Sequence, residues 1–241
     1  MTPERIARLR SVLNKRQPSL TIVTDFVNKQ RNLSAIIRNA DAVGVMRVSA
    51  VLGRERYKGA FRGTTMGSHR WIEVQRYDAL VQALEPLKKQ GFQVVAAHLS
   101  PDAVDYRELD YTRPTALLLG AERRGVSPVG QDLANATIGV PMVGMVGSYN
   151  VSVASGIILA EAQRQRQIAG LYEKRQIDQE TYDRLFFEWG HPQIRDYCQL
   201  HGLRYPTLDA EGEIDNPSRW YAQVRAGTAI KAIAVSPERS L

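Results

Sequence analysis

Residues 137–163 read TIGVPMVGMVGSYNVSVASGIILAEAQ. A short apolar run at 138–140 passes through a turn containing Pro141, Gly144 and Gly147, then enters a long helical pattern behind Ser148 and Asn150. In an α/β protein, a strand, a glycine turn and a helix start in that order set a ligand-facing loop at the carboxyl edge of a parallel sheet. Pro141 fixes its φ and removes one donor, while the glycines let backbone approach a ligand with no Cβ in the way. Ser148 and Asn150 are both good N-cap residues, so either closes the first turn of the helix. The plain reading is a well-capped junction of strand and helix. The sharper one is a small-molecule cradle with two polar side chains aimed into it.

The segments upstream agree with a parallel sheet. Strand patterns rich in β-branched or apolar residues fall at 20–26, 46–52, 71–74, 93–99 and 115–120, and helical patterns at 33–45, 78–90 and 126–134 alternate with them. Near-continuous apolar runs such as TALLLG (115–120) are expected of parallel strands covered on both faces. The alternation predicts a doubly wound α/β sheet over residues 19–168, with helices on both of its faces. Before it, Thr2, Pro3 and Glu4 form a helix start, and Ile6, Leu9 and Leu13 share one face of the helix that follows. After it, short helices are predicted at 178–187 and 193–201, with Trp189 to Pro192 as the break between them; residues 227–241 carry little pattern.

With 241 residues, 44% of them hydrophobic and 24% charged, the chain has an ordinary globular balance able to bury a core. Its net charge of +7 argues for a polyanionic partner, most simply a nucleic acid. The single Cys198 excludes an intramolecular disulfide. No uninterrupted apolar segment opens the chain, so neither a signal peptide nor a membrane span is expected, and the protein reads as soluble and cytoplasmic.

Two basic regions bear on that partner. The first helix carries Arg5, Arg8, Arg10, Lys15 and Arg16 against Glu4 alone, which is either a solvated face or a phosphate-contacting arm. The second helix, behind Asn32 as its N-cap, buries Leu33, Ile36, Ile37 and Ala40 and turns Ser34, Arg38 and Asp41 to a polar face. From spacing alone, Arg38 pairs with Asp41 on a wet surface.

Several familiar chemistries lack their residues. Gly120 and Gly125 have the spacing of a phosphate loop, but Val126-Ser127 stands where Lys-Ser/Thr is required. No GxGxxG follows a strand and no GxSxG surrounds a serine. His69, His98, His191 and His201 are scattered without metal-ligand spacing, so no metal is expected and each reads as an ordinary surface or core residue.

Three segments together resemble the motifs of the SpoU branch of the SPOUT methyltransferases: NLSAIIR (32–38), LGAERRG (119–125) and VPMVGMVGSYNVSV (140–153). The similarity extends through HLSPDAVDYRELDYTRPT (98–115) and PQIRDYCQLHGLRYP (192–206), close to the whole chain. It implies a SPOUT-type α/β domain with a deep trefoil knot at about residues 117–167, whose bend holds S-adenosylmethionine, between an N-terminal basic helix (1–18) and a C-terminal helical extension (169–241). It further implies a homodimer that methylates the ribose 2′-hydroxyl of guanosine 18 in tRNA. Ribosomal RNA or another tRNA position is the alternative target, and a non-catalytic RNA-binding module the alternative class.

Carried over residue by residue, Arg38 lies beside the 2′-hydroxyl, Asn32 orients Arg38 or the RNA backbone, and Glu122, Ser148 and Asn150 shape the catalytic site. Backbone near Ala97, Leu119, Gly120, Val140, Pro141, Met145 and Tyr149 holds the cofactor, and Arg5, Arg8, Arg16 and Arg31 contact tRNA. Ser152, Ser155 and Gly156 leave room for the close approach of another chain segment; a helical glycine otherwise costs ~1 kcal/mol relative to alanine.

Overall fold

The computed structural model describes residues 1–52, 70–122 and 124–232. The basic segment 53–67, read as a loop with a short helix, lies outside the described residues. The chain divides into two units, Lys15–Gln176 and the pair Met1–Asn14 with Ile177–Leu241.

The larger unit contains β1 (Leu20–Asp25), α1 (Gln30–Ala42), β2 (Arg47–Val51), β3 (Glu73–Tyr77), α2 (Leu80–Lys89), β4 (Gln93–Ala97) and β5 (Val104–Asp105). It continues with β6 (Thr115–Gly120), α3 (Pro128–Leu133), β7 (Ala136–Gly139) and α4 (Val151–Ile168). The strands form one parallel sheet in the order β3-β2-β1-β6-β4-β7-β5. All residues of β1 and β6 are buried, as expected for central parallel strands. Alternation sends Leu117 and Leu119 into a core with Ile36 and Ile37 of α1 and Ile158 and Leu159 of α4. Ala116 and Leu118 face the opposite core, with Leu80 and Leu84 of α2. Helices therefore cover both faces. The two-residue β5 was not anticipated, because it is too short to carry a period. β3 begins two residues later than the pattern at 71–74 indicates, and α3 is shorter than 126–134.

Helix α1 departs from the sequence reading at its start. It begins at Gln30 with Lys29 at the cap, so Asn32 lies inside the first turn and its side chain is released from capping. The apolar stripe is as expected, with Leu33, Ile36, Ile37 and Ala40 buried. Asp41 does not pair with Arg38; it accepts at 2.8 Å from Arg16. Arg16 itself is 1% exposed, and its guanidinium also donates to the carbonyls of Val45 and Trp71. Burial lowers its pKa from the ordinary value, and Asp41 opposes that by charge and hydrogen bond. A side chain enclosed in this way ties the start of the unit to its sheet and presents no charge to an RNA surface, which corrects the contact expected of Arg16.

Small residues on α4 let α1 approach closely. Asn39 donates to the Ser152 carbonyl at 2.8 Å and to Ser155 Oγ at 3.0 Å, and a Cβ at Gly156 would stand 3.3 Å from Asn39 Nδ2. At its other end α4 is anchored by the fully buried Arg166. That guanidinium donates to the carbonyls of Tyr111, Ser19 and Arg113 and to Gln17 Oε1 and Ser19 Oγ. Arg166→Leu should destabilise the unit by about 3 kcal/mol or more, since it strands these acceptors without donors. Denaturant unfolding measures it, and a loss below about 1 kcal/mol would mean water replaces the guanidinium.

The smaller unit holds α5 (Pro3–Asn14), which is first in the chain, and α6 (Gln179–Gly190), α7 (Pro192–His201) and α8 (Pro217–Arg225). Asp178 caps α6 by accepting from the Thr181 amide at 2.7 Å. α6 runs through Trp189 and Gly190, so the break before α7 is His191 alone. Leu9 and Leu13 of α5 are buried and Arg5 donates to the Trp189 carbonyl at 3.0 Å. α8, hidden among turn signals, starts at an Asn216 cap in left-handed conformation followed by Pro217.

Candidate active site

A cavity of about 290 Å³ opens at the carboxyl ends of β4, β6 and β7. Open α/β sheets place ligands at those ends because loops and helix starts converge there. Of the residues expected at the cofactor, Ala97, Leu119, Val140 and Tyr149 line this cavity, and Glu122 and Ser148 of the catalytic set line it with them. The walls thus combine aliphatic surface with a carboxylate, a hydroxyl and a phenol, a set suited to a ligand with one flat apolar part and one charged part.

Behind the wall, three side chains join segments far apart in sequence. Asn32 Nδ2 donates to Glu122 Oε1, and Asn150 Nδ2 donates to Asn32 Oδ1 at 3.3 Å. Asn150 also settles which residue caps α4, its Oδ1 accepting from the Ser152 amide at 2.9 Å and the Ser152 hydroxyl at 2.6 Å. Ser148 is left exposed in the loop. The first turn of α1, the turn after β6 and the start of α4 are thereby held together by amide groups. Such groups both donate and accept, so each can serve two partners.

Gly120, Pro141 and Met145 are not among the cavity's walls. Gly120 is a packing glycine, since a Cβ there would stand 2.0 Å from the Gly125 carbonyl carbon. Pro141 is exposed, and Met145 stands fully out of the loop, as does Val143. Arg38 is exposed on α1 and makes no ion pair with a described residue. Arg31 is exposed on the first turn of the same helix, and Arg5 and Arg8 are exposed on α5.

Two residues that sequence reasoning left aside border the site. Asp25, 1% exposed at the end of β1, accepts from the Ser127 amide at 2.7 Å and fixes the far end of the turn that carries Glu122. His98, one residue beyond β4, lines the cavity. Neither gave a signal, because an acid after a strand and an isolated histidine fit many structural roles.

A parallel sheet with a polar-rimmed cavity at its carboxyl edge, braced by a knit of amides, defines an α/β ligand-binding domain. Its sequence places it more narrowly. The family described as SpoU rRNA Methylase matches residues 19–160, and the one described as SpoU, rRNA methylase, C-terminal, matches 164–217. The chain belongs to the SpoU methylase family. It is 45% identical over 228 residues to a tRNA (guanosine(18)-2′-O)-methyltransferase of Escherichia coli strain K12, covering 94% of this chain and 99% of that one. The crystal structure of the A. aeolicus TrmH/SpoU tRNA modifying enzyme superposes with a TM-score of 0.74 at 42% identity, over 79% of this chain and 97% of its own. An AdoMet-bound rRNA methyltransferase from Sinorhizobium meliloti matches with a TM-score of 0.54 at 33% identity, over 65% and 59% of the two chains.

Proposed function

We propose that this protein transfers the methyl group of S-adenosylmethionine to the ribose 2′-oxygen of guanosine 18 in the D-loop of tRNA. The observation that carries the reading is the convergence of Glu122 and Ser148 on one cavity, with Asn32 and Asn150 bonded behind it, in a chain similar over 94% of its length to a guanosine-18 methyltransferase. The aliphatic walls suit an adenine ring and the Glu122 carboxylate suits the cationic part of the cofactor. S-adenosylmethionine supplies a methyl already activated on a sulfonium, so the protein's work is alignment and the handling of one proton, with no need of a metal.

In this reading the Arg38 guanidinium clamps a phosphate while it stabilises the developing alkoxide. Asn32 orients the RNA backbone, and Ser148 and Asn150 set the loop over the cofactor. Residues 19–168 form the catalytic domain, with the trefoil knot at about 117–167, flanked by the basic helix 1–18 and the helical extension 169–241. The protein acts as a homodimer in the cytoplasm. The exposed Val143, Met145 and Val146 supply apolar surface for a second copy. No described helix is long and apolar enough to cross a membrane.

Calorimetric titration with S-adenosylmethionine and mapping of 2′-O-methyl groups on a tRNA transcript test the proposal. Binding with a single methyl at guanosine 18 is expected. Methylation only of a ribosomal RNA fragment would move the target, and no binding would leave an RNA-binding module.

Arg5, Arg8 and Arg31 are the tRNA contacts of this reading. Arg8→Ala should weaken tRNA binding, reduce the slope of log affinity against log salt by about 1, and leave cofactor affinity unchanged. Equal slopes for mutant and wild type would take Arg8 off the RNA surface.

A further inference from the structure

His98 is held on three sides. Its backbone amide donates to the Ile138 carbonyl at 3.1 Å, which fixes the residue against β7. Its ring abuts Gly125, where an added Cβ would stand 2.4 Å from Nδ1 and 2.7 Å from Cε1. The Val126 amide donates to Nδ1 at 3.3 Å. A backbone N–H only donates, so Nδ1 is the accepting nitrogen and the ring's N–H is left at Nε2. No other hydrogen bond joins the ring to a described residue. A clamped imidazole whose Nδ1 is engaged therefore borders the cavity with one donor to spare.

We propose that His98 is a cofactor-binding residue whose Nε2–H donates to an acceptor atom of S-adenosylmethionine, which rests on the reading of the cavity as the cofactor site. The turn after β6 serves this purpose: Gly125 makes room for the ring and Val126 selects the tautomer, so the donor is set before the ligand arrives. The acceptor belongs either to the adenosine, as a ring nitrogen or ribose oxygen, or to the methionine carboxylate. Both are hydrogen-bond acceptors that a fixed N–H recognises.

Two isosteres separate this role from mere support of the turn. In His98→Asn the amide oxygen overlays Nδ1, so the Val126 bond survives and the Nε2 donor is lost. In His98→Gln the amide nitrogen overlays Nε2, so the donor survives and the Val126 bond is lost. Calorimetric titration should find S-adenosylmethionine bound roughly tenfold more weakly by His98→Asn and near wild-type strength by His98→Gln. The reverse order, or equal affinities in all three proteins, would overturn the inference. If wild type fails to bind, the reading of the cavity falls and the inference with it. Repeating the titration with 5′-methylthioadenosine locates the acceptor: a loss that persists points to the nucleoside, and one that vanishes points to the carboxylate. A measurement on the unaltered protein guards against misfolded variants. The ¹⁵N resonances of the His98 ring should show a protonated Nε2 that shifts on cofactor addition, and a protonated Nδ1 would overturn the assignment.

Discussion

Arg38→Ala is expected to slow methyl transfer by roughly 10²–10³-fold while cofactor affinity and melting temperature stay at wild-type values. The separation of these effects follows from where the side chain stands. Arg38 is exposed on α1 and no described residue forms an ion pair with it, so truncation breaks no ion pair among the described residues. Alanine is also the better helix former at such a site, and surface substitutions of this kind alter stability by no more than about 0.5 kcal/mol. The loss falls on the transition state, where negative charge gathers on the ribose oxygen and a fixed guanidinium meets it. Single-turnover rates at saturating cofactor measure the effect. Arg38→Lys refines it, because lysine keeps the charge and loses the planar fork. Retention of more than a hundredth of wild-type activity in Arg38→Lys would make the fork dispensable. A loss of cofactor binding in Arg38→Ala would return Arg38 to a structural role.

The same residue shows how far sequence reading reaches. Spacing on a helix names a partner only when that helix is considered alone, and on that basis Asp41 pairs with Arg38. In the folded unit Asp41 meets Arg16, a residue from the connection before β1 that no local rule connects with it. Arg16 was in turn read by its charge as part of a basic arm, although three acceptors inside the fold enclose it. Charge patterns report composition, and burial is decided by tertiary neighbours. By contrast, the parallel sheet was legible, because TALLLG and LTIVTD can be buried on both faces only in such a sheet. The chain of bonds from Asn150 through Asn32 to Glu122 lay between these extremes. Each residue stood in a quoted motif, but the bonds that join them needed Asn32 to be free of capping, and that depended on a helix start three residues earlier than the N-cap rule placed it.

Glycine provides the second large effect, and it separates Gly120 from Gly144 and Gly147, three positions that the sequence treats alike. Gly120→Ala is expected to cost at least about 3 kcal/mol, because overpacking that displaces backbone cannot be relieved by a rotamer change. The added methyl would fall 2.0 Å from the Gly125 carbonyl carbon and 2.1 Å from both the Gly125 oxygen and the Val126 amide. That backbone is itself fixed: Gly125 donates to the Ala121 carbonyl at 2.8 Å, Val126 to His98 and Ser127 to Asp25. The turn cannot yield without releasing Glu122 and the histidine clamp together. At ~2–4 °C per kcal/mol for a chain of this size, melting should fall by about 6–12 °C. Gly144 and Gly147 have no atom within 4 Å of an added Cβ, and neither has positive φ. Gly144→Ala and Gly147→Ala should therefore melt within about 0.5 kcal/mol of wild type. If these loop glycines exist to admit a ligand, their variants lose cofactor affinity with the fold intact, whereas Gly120→Ala loses both at once. Thermal scans paired with titrations on the three variants decide the matter. A Gly120→Ala protein that melts with wild type would mean the turn after β6 is looser than its contacts require, and the preset donor on His98 would lose its support.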